Sequence, residues 1–385
     1  MQAPWRRLMG GRDPQEEHRA STPLELLFDL CFVVAVSQAA AQLAHGIEEG
    51  HSLQAVAGFA MVFFAIWWAW MSFTWFASAY DTDDGPFRLL TLLQMAGALI
   101  LAAGVPAALT DYDFTQVTIG YAVMRIPMVA QWLRAAREHP EGRQTARRNA
   151  LGITVVQVLW ILRLLLPHPF DYIAFVVLAL AEVAVPAWAE RTGAIKWHPE
   201  HIAERYGLFT IIVLGEVILA STVAFGSAMH AGVSIQLILV AVGGLLLMFG
   251  IWWAYFLGGD EHGFRSGKVV RTWAYGHYVV FGSVAALGGG LEVAVRAAEH
   301  NVHVPPLVTG YAVAVPVALF LIAGLLLRWL VWPSGTVMPV PFIAASAALL
   351  LCPLLAPSLG IGAAILVMGL VPAAALTVLL SRRST

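Results

Sequence analysis

Long apolar segments recur along the whole chain and alternate with short polar stretches. A helix of about twenty apolar residues is long enough to cross the hydrocarbon core of a bilayer. The pattern predicts twelve such helices, near residues 22–44, 52–79, 87–109, 115–136, 149–166, 171–189, 201–223, 233–258, 268–297, 307–332, 338–356 and 360–380. We therefore predict an all-α fold: a polytopic helical membrane protein with about twelve transmembrane helices.

The composition supports this class and excludes others. The chain is 59% hydrophobic and 12% charged, with a mean hydropathy of +0.75, whereas soluble domains carry about 25% charged residues. A net charge of −2 gives no reason to expect nucleic acid binding. Cys31 and Cys352 both lie in apolar segments, so we expect no disulfide framework. The lipid bilayer is the expected partner, and the oligomeric state stays open.

The distribution of basic residues predicts the orientation. Cytoplasmic loops of membrane proteins are enriched in Lys and Arg. The loop from Arg134 to Arg148 is the most basic, and the N-terminal segment 1–20 and the tail 381–385 fall on its side of the membrane. Arg296 is the exception, because it lies near a loop on the opposite side. Both termini should therefore be cytoplasmic.

The two halves of the chain repeat each other. The motif Ile66–Trp70 reappears as Ile251–Tyr255, 185 residues later. Other pairs occur in the same order: Glu25 with Glu204, Arg88 with Arg271, and Tyr121 with Tyr311. We predict six-helix repeats over 21–190 and 201–380, joined by a cytoplasmic linker at 191–200. Six helices per half give the parallel type of repeat, in which sites lie near the midplane between the halves.

Acidic residues inside the apolar segments are the first candidates for chemistry, because a carboxylate in lipid must face protein or water. Glu25 and Asp29 are four residues apart and share a helix face, where one of them could hold a proton at neutral pH. Glu216 lies deeper in its segment, and Glu204 is the repeat-mate of Glu25. The alternatives are that Glu25 caps the start of its helix and that Glu216 is a protonated hydrogen-bonding group.

His277 lies near mid-depth of its segment and could move a proton, or it could simply bond to a neighbouring helix. We predict that Asp29, Glu216 and His277 line one polar cavity. His201 and Glu204 have a spacing that can share a metal, but an exposed helix start is the simpler interpretation, and we expect no metal site or cofactor.

Two further charged residues, Arg125 and Glu182, fall at similar depths in their segments. This predicts a buried ion pair with a structural role, and the alternative is that the two residues contact a substrate. The loop charges predicted to face the cytoplasm are Asp81, Asp83, Asp84, Arg88 and Arg271.

Four stretches of the chain resemble the bacterial low temperature requirement A family. They are Pro23–Val33, Asp81–Asp84 with Phe87–Leu90, Glu204–Glu216 and Tyr275–His277. The resemblance implies a polytopic protein of the bacterial inner membrane, in a family named for a growth phenotype in the cold. It implies no particular substrate or reaction.

Three functions fit these features. The first is a secondary transporter, coupled to protons through buried carboxylates at the repeat interface and acting on an unknown small molecule or ion. The second is an intramembrane enzyme that uses Glu25, Asp29, Glu216 and His277 as acid–base groups. The third is a membrane scaffold or sensor without catalysis.

Overall fold

A computed structural model of the chain describes residues 5–13, 16, 19–230, 234–257, 267–299, 303–331 and 339–383. Within these ranges every regular element is helical. The α-helices are α1 (Pro23–Glu48), α2 (Ser52–Tyr80), α3 (Gly85–Thr110), α4 (Thr115–Glu138), α5 (Arg143–Arg163), α6 (Phe170–Ala189), α7 (Pro199–His230), α8 (Ile235–Phe256), α9 (Gly267–Ala298), α10 (Pro306–Val331), α11 (Pro339–Leu351), α12 (Ala356–Leu359) and α13 (Ile361–Arg383).

The predicted class is confirmed, because ten helical segments of the described part are long and apolar enough to cross a membrane; one of them, Pro339–Leu359, contains both α11 and α12. Helices α4 and α5 are of similar length but less apolar, and they are not among the ten. The protein is thus a polytopic helical membrane protein. The exact number of twelve spans and the repeat stay predictions.

One predicted segment, 338–356, is interrupted in the structure. Helix α11 ends at Leu351, a 3-10 turn follows over Cys352–Leu355, and the short α12 comes next. Pro353 lies in this turn and has no backbone N–H to donate, which weakens α-helical hydrogen bonding there. A proline alone does not interrupt a helix in this protein, because α3, α4, α6, α10 and α13 each continue through an internal proline.

Residue contacts group the chain into two units. The first contains Met1–Gln38 and Met61–Tyr206, and the second contains Ala39–Ala60 and Gly207–Thr385. In the first unit, α3 packs on α4, α4 on α5 and α5 on α6. In the second, α8 packs on α13 and α9 on α10.

Glycines allow the closest helix approaches in each unit. A Cβ atom added to Gly120 of α4 would lie 2.4 Å from the backbone nitrogen of Leu101 in α3. In the second unit, one added to Gly290 would lie 2.2 Å from the carbonyl oxygen of Ala312. Small residues give membrane helices this van der Waals contact, which replaces the hydrophobic drive that lipid does not supply.

Arg296, the exception to the charge rule, is neutralised in the second unit. Its guanidinium lies 2.7 Å from Glu48 and also pairs with Glu292 one turn away.

Candidate functional site

The start of α1 is set by a capping box. Thr22 donates its backbone N–H to Oε2 of Glu25 (2.8 Å), and the backbone N–H of Glu25 donates to the Thr22 hydroxyl (3.3 Å). This reciprocal pair satisfies free N–H groups of the first turn. The other carboxylate oxygen, Oε1, lies 3.0 Å from Nε2 of His201 in α7. Glu25 therefore both caps its helix and contacts a titratable base.

Asp29 lies one turn further along α1 and contacts α7 and α2. Its Oδ1 accepts hydrogen bonds from Nη2 of Arg205 (2.6 Å) and from the indole nitrogen of Trp70 (2.7 Å). Arg205 Nη2 also lies 3.4 Å from the hydroxyl of Thr74. The Asp29 carboxylate thus joins three helices.

Helix periodicity explains why these contacts come as two stacked pairs. Glu25 and Asp29 are four residues apart on α1, and His201 and Arg205 are four apart on α7, so each pair shares one face of its helix. We call these four residues the acid–base cluster. All four have a solvent exposure of 0%.

Several polar atoms of the cluster lack hydrogen-bond partners. Among the described residues, nothing bonds to Oδ2 of Asp29, Nδ1 of His201, or Nε and Nη1 of Arg205. A buried polar group without a partner costs about 1–3 kcal/mol, and more when it is charged. The cluster therefore has free capacity to bind a proton, a water molecule or a small polar group.

The segment before α1 lies across the ends of α2 and α7. Arg19 donates to the carbonyl oxygens of Ala77 (2.6 Å) and Ser78. Glu204, predicted as a site residue, accepts the backbone N–H of Ser21 at 3.1 Å and belongs to this support. Burial, followed by the charge of Glu25, raises the pKa of the neighbouring Asp81 to about 6.

Residues 5–13, which we call the N-terminal strap, are tied to the α2–α3 loop and the end of α4. Asp84 accepts the backbone N–H of Arg7 (2.8 Å), and Glu138 accepts that of Met9 (2.7 Å). Arg134 lies between the two acids, 2.6 Å from Asp84 and 3.2 Å from Glu138. Burial alone would raise the pKa of Asp84, but hydrogen bonds from Arg134 and from backbone N–H groups hold it well below its usual range.

Three other residues were predicted to lie in loops, namely Asp83, Arg88 and Arg271, and they lie apart from the acid–base cluster. Asp83 and Arg88 form an exposed ion pair at 2.8 Å, and Asp84 also caps α3 by accepting the backbone N–H of Phe87. Arg271 is partly exposed near the start of α9.

Arg125 and Glu182 are in contact inside the first unit. Arg125 Nη2 lies 2.8 Å from Glu182 Oε2, and both side chains are 3% exposed. The Tyr121 hydroxyl bonds to both, donating to Glu182 at 3.0 Å. Arg125 Nε and Glu182 Oε1 have no hydrogen-bond partner among the described residues.

Another buried arginine, Arg163, lines a small cavity together with Tyr121. It is the last residue of α5 and is only 4% exposed. Its guanidinium lies over the rings of Phe114 (4.9 Å), Phe175 (5.2 Å) and Trp160 (5.9 Å). Cation–π contacts of this kind stabilise a charge that is removed from water.

His277 belongs to the second unit and is 2% exposed. Its Nδ1 lies 2.8 Å from the carbonyl oxygen of Trp273, and its Nε2 lies 3.0 Å from the hydroxyl of Tyr255. The side chain of Glu216 lies outside the described residues. A cavity shared by Asp29, Glu216 and His277 therefore stays a prediction.

A family model now identifies the relatives of the chain. The model of the bacterial low temperature requirement A protein matches residues 20–375. The chain belongs to this family. It is 27% identical, over 291 residues, to an uncharacterized protein of Rhizobium meliloti (strain 1021); the match covers 71% of this chain and 69% of the relative. No solved structure matches the chain.

Family membership and the apolar helices together identify a bacterial multi-pass membrane protein. The acid–base cluster of this low temperature requirement A protein lies within the matched range, as do the Arg125–Glu182 pair and His277.

Sequence reasoning missed the basic half of the cluster. We interpreted His201 as part of an exposed helix start, and this was wrong because its side chain is fully buried. Arg205 was not singled out, although an arginine one turn inside an apolar segment is expensive unless it is paired. The signal that could have found both is their spacing of four, which matches that of Glu25 and Asp29.

Within the described residues, no group of three or more His, Cys, Asp or Glu side chains is placed to hold a metal ion.

Proposed function

We propose that this protein is a secondary transporter of the bacterial inner membrane, that it couples solute movement to protons, and that the acid–base cluster is its proton site. The observation that carries the proposal is the complete burial of two acids and two bases in matched contacts, with polar atoms left unpartnered. A cluster built only to stabilise the fold would gain from partners for every polar atom.

The chemistry follows from the two contacts. Oε1 of Glu25 and Nε2 of His201 lie 3.0 Å apart, within ion-pair distance but without the geometry of a hydrogen bond, so a proton on His201 would be stabilised by the carboxylate charge. Protonation of Asp29 would remove the counter-ion of Arg205, and a buried guanidinium without a counter-ion is unfavourable. We infer that a proton arriving at Asp29 changes how α1 and α7 pack on each other, which is the kind of two-state element that transport requires.

The proposal includes the orientation and symmetry expected from the sequence. It comprises twelve spans, parallel repeats over 21–190 and 201–380, and cytoplasmic termini. The basic loop from Arg134 to Arg148 supports the orientation.

The test uses the full chain in liposomes that contain a trapped pH-sensitive dye. Pools of amino acids, organic acids, sugars and cations are added outside, and the internal pH is followed. We expect one pool to drive proton movement, and we expect Glu25→Gln and Asp29→Asn to abolish it. Arg88→Gln is the matched control, because it removes a charge from an exposed ion pair and should leave the proton movement unchanged.

Two results would contradict the proposal. One is the absence of solute-dependent proton movement with every pool. The other is a transported solute whose movement and proton stoichiometry are the same in Glu25→Gln and Asp29→Asn as in the unsubstituted chain. Size-exclusion profiles and melting temperatures of both variants show whether a loss reflects unfolding.

A further inference from the structure

The side of the N-terminal strap that faces the protein is held by main-chain hydrogen bonds and by a buried side chain. Its attachment uses main-chain groups: the N–H of Arg7 and Met9 donate to carboxylates, and the carbonyl oxygen of Arg7 accepts from Arg134 at 2.6 Å. The side chain of Met9 is 0% exposed. The strap is therefore held independently of most of its side chains.

The outer side of the strap presents apolar side chains. Trp5 is 71% exposed and Leu8 is 81% exposed. One edge of the Trp5 ring lies against Gly85. Exposing most of two large apolar side chains is unfavourable in water, but it is typical of segments that lie in the membrane interface.

The strap lies where α3 enters the membrane. The backbone N–H of Gly85, the first residue of α3, donates to the carbonyl oxygen of Trp5 at 3.0 Å. The next turns of α3 expose Leu89, Leu92 and Leu93, which face lipid in a spanning helix. Trp5 is thus at the level of the membrane boundary, where tryptophan side chains concentrate.

The arginines of this region differ in their partners. Arg6 pairs with Glu138 and Arg12 with Glu16, each at 2.7 Å. The guanidinium of Arg7 has only the carbonyl oxygen of Thr82 at 3.5 Å, and no carboxylate of the described residues is within ion-pair distance. Within the part of the chain that the structure describes, Arg7 therefore presents a positive charge that has no carboxylate partner, between Trp5 and Leu8 in the sequence.

We propose that the N-terminal strap binds an anionic phospholipid of the adjacent leaflet. The guanidinium of Arg7 binds the phosphate, and Trp5 and Leu8 enter the boundary between headgroups and acyl chains. Juxtamembrane arginines attract anionic lipids in this way, and continuity with the lipid-facing side of α3 places the headgroup beside the strap. The proposal does not depend on transport activity.

The test measures lipid retention by the full chain. Native mass spectrometry counts phosphatidylglycerol and phosphatidylcholine molecules that stay bound after extraction from mixed vesicles. We expect preferential retention of phosphatidylglycerol and an affinity about fivefold lower in Arg7→Gln, the size of effect expected for one interfacial arginine. Arg12→Gln is the matched control, because it removes the same charge from the same strap at a residue that already has a carboxylate partner. Neither substitution alters the main-chain attachment of Arg7.

Fluorescence gives a second, independent readout. The chain has 14 tryptophans, so the contribution of Trp5 is the difference between the unsubstituted chain and Trp5→Phe. Brominated phosphatidylglycerol should quench this difference signal more strongly than brominated phosphatidylcholine does.

The outcomes separate lipid from other sources of phosphate. Equal loss in Arg7→Gln and Arg12→Gln would overturn the proposal, as would equal retention of the two lipids. Displacement of phosphatidylglycerol by millimolar inorganic phosphate would show a free-anion site and would also overturn it.

Discussion

The ion pair between Asp29 and Arg205 offers the sharpest test of the acid–base cluster. In Asp29→Ala, Arg205 loses a counter-ion that lies at 2.6 Å, and the Trp70 indole loses its acceptor at 2.7 Å. Breaking a buried ion pair costs about 3–5 kcal/mol, and a buried N–H without a partner costs about 1–3 kcal/mol. These costs overlap, so we expect Asp29→Ala to lower the free energy of unfolding by about 5 kcal/mol.

Replacing the other member of the pair, Arg205, should lower the free energy of unfolding by less. In Arg205→Met, Asp29 keeps its hydrogen bond from Trp70 and can take up a proton in place of the lost counter-ion. We expect a loss of about 3 kcal/mol. The double variant Asp29→Ala/Arg205→Met has no buried charge, so it should cost less than the two single substitutions added together.

The assay is a double-mutant cycle on unfolding free energies, measured by SDS titration in mixed micelles. We expect a coupling free energy of at least about 2 kcal/mol between the two substitutions, which is typical of charged residues in contact. Strictly additive costs would refute it, because they would mean that the two side chains do not depend on each other. The exposed pair Asp83–Arg88 is the control and should show a coupling of about 0–1 kcal/mol.

Three further predictions concern other parts of the protein. Glu182→Gln should destabilise by about 3 kcal/mol in the same SDS assay, since it leaves the Arg125 charge buried, and Arg125→Met in the same chain should recover most of that loss. Because the pKa of Asp81 is raised to about 6, the folded state binds this proton more tightly. Its contribution to stability is therefore complete below about pH 4 and falls by about 3 kcal/mol in all as the pH rises through 6. Asp81→Asn should remove that slope from melting temperatures, and an unchanged slope would contradict the assignment. Gly120→Ala should lower the melting temperature because its Cβ atom would overlap α3, whereas Gly215→Ala, with no described atom within 4 Å, should raise or preserve it.

Local features of the sequence predicted local structure well. The segment expected at 171–189 is Phe170–Ala189, and the one expected at 268–297 is Gly267–Ala298. Thr22 and Glu25 form the capping box that their spacing favours, because both partners lie within one turn. The interruption at Cys352–Leu355 was not predicted, and its proline is not a sufficient signal, because five other helices continue through an internal proline.

Contacts between distant segments were harder to predict. Arg125 and Glu182 could be matched by depth, because each is isolated in an apolar segment. Arg205 has its partner 176 residues away, and residue counting along a helix does not decide whether an arginine in its second turn faces another helix or extends to the membrane surface. The predicted repeat register did not indicate burial either: Trp67 is 3% exposed, and Trp252, its predicted repeat-mate, is 48% exposed.

The sequence by itself determined the class, the family and the approximate position of each helix, because apolar length and backbone hydrogen bonding leave few options in a bilayer. It also determined which faces of α1 and α7 carry charge, because a spacing of four is a property of one helix. Only the tertiary structure decided that these two faces meet, that Glu25 pairs with His201 and that Asp29 pairs with Arg205. Pairing depends on the packing of helices far apart in the chain, and a buried charge specifies only that it needs a partner, not which one.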